Sequence, residues 1–184
     1  KMKLSSFRSI ITATICGVLL CSATSSAGRK MSAQLNAPSA TALPVGDSDP
    51  LVQLAVLLDT SGSMNQKFSQ ATQYGSKDGT RLSAAKAQLV GALKLLPDGT
   101  LFNIITFDTR GDRWKDEMMV LGDATRREAS QWVNAVGTRG ATNVFDALDK
   151  AFALKDVDTI YLLSDGQPFG GKIDDPMLLR QESR

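Results

Sequence analysis

Along residues 51–165 the apolar positions switch repeatedly between two patterns. Residues 51–58 (LVQLAVLL) form a near-continuous apolar run that ends at Asp59. Apolar side chains at both odd and even positions predict a strand buried on both faces, as in a parallel sheet. Over 81–96 the period lengthens: Leu82, Ala85, Leu89, Leu93 and Leu96 recur at steps of three and four, which is one helix face. Pro97-Asp98-Gly99 predicts the stop. Residues 101–107 (LFNIITF) predict a second strand, and residues 114–121 a shorter, more polar one suited to a sheet edge.

Residues 123–136 predict a helix headed by Asp123, with Ala129, Trp132, Val133 and Val136 inward. Residues 143–154 predict another, with Asn143 and Asp146 as a capping box and Val144, Phe145, Leu148, Ala151 and Phe152 inward. Residues 159–163 (TIYLL) predict a fourth strand, which runs into Ser164-Asp165-Gly166, and a last helix is expected from Asp175. This alternation predicts an α/β domain over residues 51–184: a doubly wound, mostly parallel central sheet with helices on both faces. A sheet that stopped at the fourth strand would leave a long apolar edge, so a further strand-helix unit is expected beyond Arg184.

The first fifty residues follow neither period. KMKLSSFR is basic, SIITATICGVLLC is apolar and SATSSA is small, the three parts of a secretory signal peptide. Cleavage is expected after Ala27, making residues 1–27 the signal. The apolar stretch is shorter than the roughly 20 residues of a membrane span, so membrane attachment is expected only if the segment stays uncleaved. Residues 28–50, rich in Ser, Ala, Pro and Gly, read as a flexible linker. The expected location is outside the cytoplasm: periplasmic, cell-surface or extracellular.

Charge and composition narrow the chemistry. The formal charge is +2, but Lys1, Lys3 and Arg8 supply three of the 21 basic residues. The remaining 18 face 19 acids, a balance of −1, and no basic stripe marks a nucleic-acid partner. The 184 residues include no histidine, which excludes a Ser-His-Asp triad and any histidine-ligated metal. The two cysteines, Cys16 and Cys21, both lie in the signal-like segment, so the domain itself has no cysteine for a disulfide or a thiolate site.

Three segments at strand ends and helix starts carry the remaining candidate chemistry: Asp59-Thr60-Ser61-Gly62-Ser63, Gly140-Ala141-Thr142-Asn143 and Ser164-Asp165-Gly166. Ligands of open α/β sheets bind outside the carboxyl ends of the strands. Asp59, Ser61, Ser63, Thr142 and Asp165 together offer two carboxylates and three hydroxyls, with no nitrogen or sulfur. An all-oxygen set suits a hard cation, Mg²⁺ or else Mn²⁺ or Ca²⁺. The spacing of two lets a tight loop turn Asp59, Ser61 and Ser63 toward one point, with Gly62 expected to relieve crowding. Five side chains do not fill an octahedral shell, which leaves a position for water or a carboxylate from outside.

These segments resemble the metal-ion-dependent adhesion site of von Willebrand factor type A (VWA) domains, of a bacterial secreted type: Asp-x-Ser-x-Ser, then a Thr, then an Asp. Met64, Arg81 with Ala85-Lys86, and residues 143–148 add to the likeness. The resemblance implies that Ser61, Ser63 and Thr142 contact the ion through hydroxyl oxygens. It implies that Asp59 and Asp165 act mostly through bound water, and that an acidic group of a protein partner completes the coordination. The function it implies is metal-dependent protein binding or adhesion, without turnover. Residues 65–80 form a polar insert, longer than in many bacterial members, beside this site.

Plainer readings stand beside it. Ser61 and Ser63 also suit a simple turn, Thr142 a helix-cap neighbour and Asp165 a turn residue. Asp108 reads as a solvated loop residue near Arg110, Arg126-Arg127 as a solvated face, and Trp114 and Trp132 as packing residues. A phosphatase-like hydrolase using Asp59 as nucleophile, or a scaffold that binds nothing, are the alternative functions.

Overall fold

The computed structural model describes residues 9–14, 21–24 and 52–166, the first two segments by their backbone. The linker at 28–50 and the helix expected from Asp175 lie outside the described residues, as does most of the signal-like segment. The elements in chain order are β1 (Ser9–Thr14), β2 (Cys21–Thr24), β3 (Gln53–Asp59), α1 (Arg81–Leu95), β4 (Leu101–Phe107), β5 (Gly111–Arg113), β6 (Met119–Val120), α2 (Asp123–Ala135), α3 (Val144–Phe152) and β7 (Thr159–Ser164). Two short 3₁₀ turns, Gly62–Asn65 and Ala71–Tyr74, lie between β3 and α1.

The strands form one sheet in the order β2-β1-β7-β3-β4-β5, with β6 also paired to β4. β3 is parallel to β4 on one side and to β7 on the other. The winding therefore reverses at β3, and the crevice between the ends of β3 and β7 is where such a sheet binds ligands. The expected edge strand at 114–121 is instead two short ones, β5 and β6, both antiparallel to β4. Asn103 divides them: its side-chain amide donates to the carbonyls of Lys115 and Glu117 at 2.8 Å each, tying down the intervening loop. β1 runs parallel to β7 on its outer side, with β2 antiparallel beyond it.

Burial follows the strand period. Leu54, Val56 and Leu58 of β3 face α1 and α2, packing with Phe102, Ile104, Leu89, Leu93, Ala129 and Val133. Ala55 and Leu57 face the other way, against Ile105, Phe107, Ile160 and α3. Both faces are therefore dry, which is why the sequence of β3 shows no polar alternation. Each fully buried large aliphatic side chain of this kind contributes about 1.5–3 kcal/mol. Trp114, 8% exposed, stacks at a tilt on Phe102 with centroids 5.3 Å apart, a packing role as expected.

The helix ends explain several departures from the sequence reading. α1 is capped by Thr80, whose hydroxyl accepts the Ser83 N–H at 3.2 Å. At its other end Arg126 donates to the carbonyls of Leu93 (2.7 Å) and Leu96 (3.0 Å) and pairs with Asp98. Arg126 is thus not a solvated residue but a cross-helix cap. The cap of α2 is Gly122 rather than Asp123, and the Gly122 N–H bonds to the Thr125 hydroxyl at 2.9 Å. Asn143 caps α3 by accepting the Asp146 N–H at 3.1 Å. Asp146 does not complete the box; it accepts from the Gly111 N–H and ties α3 to β5.

Candidate metal centre

Asp59 ends β3 completely buried, although it is an acid. Its Oδ1 accepts the Ser61 N–H at 2.8 Å and its Oδ2 accepts the Ser164 hydroxyl at 2.5 Å. This brackets the crevice: one carboxylate joins the loop after β3 to the end of β7. The next residues close as a 3₁₀ turn, with the Met64 N–H on the Ser61 carbonyl at 3.0 Å. Met64 is fully buried in the α1-side core, so the loop is anchored at both ends.

The hydroxyls form a directed chain. Ser63 Oγ donates to Asp165 Oδ1 at 3.0 Å, and Ser61 Oγ lies 3.0 Å from Ser63 Oγ. With the Ser63 proton given to Asp165, Ser61 is the donor of that second bond. The other oxygen of Asp165, Oδ2, is paired to the Arg81 guanidinium. The Asp165 side chain is only 1% exposed, whereas that of Arg81 is 19% exposed.

Thr142 arrives from the segment Gly140-Ala141-Thr142-Asn143. Ser61, Ser63, Thr142 and Asp165 line one cavity of about 380 Å³, together with Gly62, Arg81, Gly140, Ala141 and Gly166. Asp59 sits behind this wall rather than in it. Both its oxygens are engaged and it is shielded from solvent, which argues against the phosphatase-like alternative, whose nucleophile must reach a substrate.

Two features that sequence reasoning missed hold Thr142 in place. Asp108 is 5% exposed and is no solvated loop residue. Its Oδ2 accepts from Arg139 Nε at 2.5 Å, its Oδ1 accepts from the Thr109 N–H, and its carbonyl accepts the Asn143 N–H at 2.7 Å. Arg139 also binds Asp112 at 2.6 Å. The pair clamps the Thr142 segment onto the end of β4. The visible signal was an acid directly after a buried strand, the same signature as Asp59. The second feature is Gly140, which has φ +67°. A Cβ there would lie 2.4 Å from Thr109 Oγ1 and 3.0 Å from its N, so both backbone and space demand glycine. At Gly62 an added Cβ would meet only the Gly140 carbonyl at 3.6 Å, so the crowding expected there belongs to Gly140 instead.

The electrostatics leave the site short of positive charge. Burial pushes the Asp59 carboxyl above its ordinary value; bonds from Ser164 and Ser61 pull against that, and the neighbouring Asp165 charge adds to the rise. Arg81 offsets only one of the two carboxylates directly. A hard dication fits this donor set: oxygen atoms alone, two acids and three hydroxyls. Among the described residues no group of three or more His, Cys, Asp or Glu could hold a metal.

The fold matches a known class. A model of the von Willebrand factor type A domain covers residues 52–174, and the chain belongs to that family. It is similar to human von Willebrand factor A domain-containing protein 3A, at 34% identity over 118 residues, and to human protein 3B, at 28% over 114. Those matches cover 63% and 61% of this chain but only 9% and 8% of the relatives' lengths. Among solved structures it resembles the von Willebrand factor type A protein from Catenulispora acidiphila, with TM-score 0.57, 20% identity, and coverage of 72% of this chain and 30% of that one. Domains of this family are in general interaction modules rather than enzymes.

Proposed function

We propose that this chain is a divalent-cation-dependent protein-binding module whose metal residues are Asp59, Ser61, Ser63, Thr142 and Asp165. The observation that carries the reading is the convergence of Ser61, Ser63, Thr142 and Asp165 on one cavity, with buried Asp59 directly behind. Ser61, Ser63 and Thr142 would offer hydroxyl oxygens, and the two carboxylates would supply the balancing charge. A bound Mg²⁺, Mn²⁺ or Ca²⁺ supplies a Lewis-acid position open to a carboxylate from an acidic partner. The protein's own contribution is orientation. Asp59 fixes the Ser61 backbone, Ser164 and Ser61 fix Asp59, and the Asp108–Arg139 clamp fixes the loop that carries Thr142. Nucleic acid is not the expected partner.

Export belongs to the same reading: the first 27 residues have the form of a secretory signal. Among the described residues no helix is long and apolar enough to cross a membrane.

Isothermal titration calorimetry of the whole chain tests the site. The unmodified protein should bind Mg²⁺ with one-to-one stoichiometry. Ser61→Ala combined with Ser63→Ala should abolish binding while leaving the circular dichroism spectrum and the thermal transition in place. Equal affinity in the double variant rejects the assignment.

A further inference from the structure

The Arg81–Asp165 ion pair puts a permanent cation inside the wall of the proposed metal cavity. Arg81 is the first residue of α1, held there by the Thr80 cap and by its own N–H on the Gln66 carbonyl at 3.0 Å. Its guanidinium meets the one carboxylate that lines the cavity, on the oxygen that Ser63 does not use. Asp165 thus has one oxygen on the hydroxyl chain and the other on arginine. A guanidinium stays protonated at any physiological pH, so the pairing does not switch off by itself.

We infer that Arg81 is a built-in competitor for the metal: it neutralises Asp165 in the metal-free protein, and a dication gains full use of that carboxylate only by displacing it. This rests on the metal-site reading above and adds regulation to it. Two physical costs oppose metal entry. The ion pair with a nearly dry carboxylate must break, and two positive groups must then share one small cavity. By linkage, whatever draws Arg81 away from Asp165 tightens metal binding, and metal binding in turn frees Arg81. An acidic partner group that takes the released guanidinium would therefore bind cooperatively with the ion.

The test compares the unmodified chain with Arg81→Gln and Arg81→Lys, by Mg²⁺ calorimetry and by thermal melting with and without Mg²⁺. Arg81→Gln should bind Mg²⁺ at least about tenfold more tightly, because it loses the opposing charge. Its metal-free melting temperature should fall, since Asp165 loses its partner, so the Mg²⁺-induced rise should be larger than in the unmodified chain. Arg81→Lys, which keeps the charge, should stay closer to the unmodified affinity. Binding seen only in Arg81→Gln also supports competition. Affinity in Arg81→Gln equal to or below that of the unmodified chain overturns the competitor role while leaving the metal site standing. No Mg²⁺ binding by any of the three overturns both. A measurement without substitution guards against misfolding: on Mg²⁺ addition the Arg81 Nη1 guanidinium proton resonances, which report the bond to Asp165, should shift and lose their pairing signature, and unmoved signals in a protein that binds Mg²⁺ refute displacement.

Discussion

Asp59 makes the point about the site most sharply. A carboxylate with no exposed surface is costly unless charge or hydrogen bonds compensate it. Here it has two good bonds, from Ser61 and Ser164, and a second acid nearby, with no ion-pair partner of its own among the described residues. The metal-free protein carries that cost. Asp59→Asn keeps an acceptor for the Ser61 N–H and removes the charge, so it should raise the metal-free melting temperature by about 2–4 °C, a gain near 1 kcal/mol for a domain of this size. The same variant should lose Mg²⁺ binding. A stabilised variant that still binds Mg²⁺ with unchanged affinity would show that the charge of Asp59 has no part in the site.

At the scale of elements, loops are held by side chains from distant parts of the chain. The Thr142 segment depends on Asp108 and Arg139, which touch no ligand in the proposed scheme. Arg139→Ala should leave the fold intact and weaken Mg²⁺ binding roughly tenfold, the usual consequence of loosening a group that orients a ligand. Unchanged affinity would show that the loop is held by its backbone bonds alone. Arg126 acts differently. It satisfies the last carbonyls of α1 from α2, and Arg126→Ala should cost about 1–2 kcal/mol in chemical denaturation without altering metal affinity. Beside the site, Thr80 hydrogen bonds hold the Asp78 carboxyl below its ordinary 3.8. Stabilisation from such a group is complete above that value and fades as pH falls through the lower folded value. Amide protection at Thr80 should therefore weaken on acidification below about pH 4, and less so in Asp78→Asn.

These cases also show which parts were legible. The long elements were, because their apolar periods are strong: β3, β4, β7, α1, α2 and α3 fall within a few residues of the reading. The edge was not, since β5 and β6 are three and two residues long and their ladder depends on Asn103. That Ser61, Ser63, Thr142 and Asp165 share one cavity was legible because hydroxyls and acids at strand ends carry a local pattern. Asp108, Arg139 and Arg126 were misread or overlooked because their roles rest on partners 27 to 33 residues away, which no local period reveals.

For the whole molecule, one sheet separates two cores, and the site sits where their winding reverses. Leu57→Ala, on the α3 side, should cost about 2–5 kcal/mol. The outer edge of β7 poses a different question. β1 covers it, yet Ser9–Thr14 belong to the segment read as a secretion signal. Pairing and cleavage after Ala27 exclude one another in the same molecule. The intact mass of exported protein settles which operates: loss of residues 1–27 is the outcome expected from the proposed export, and a full-length mass would assign those residues to the sheet. The central claim concerns a single ion. Crystals of the chain soaked in Mn²⁺ and measured at the manganese absorption edge should show one strong anomalous peak, in bonding contact with the hydroxyls of Ser61, Ser63 and Thr142. An empty cavity at saturating Mn²⁺, or a peak elsewhere on the surface, would contradict it.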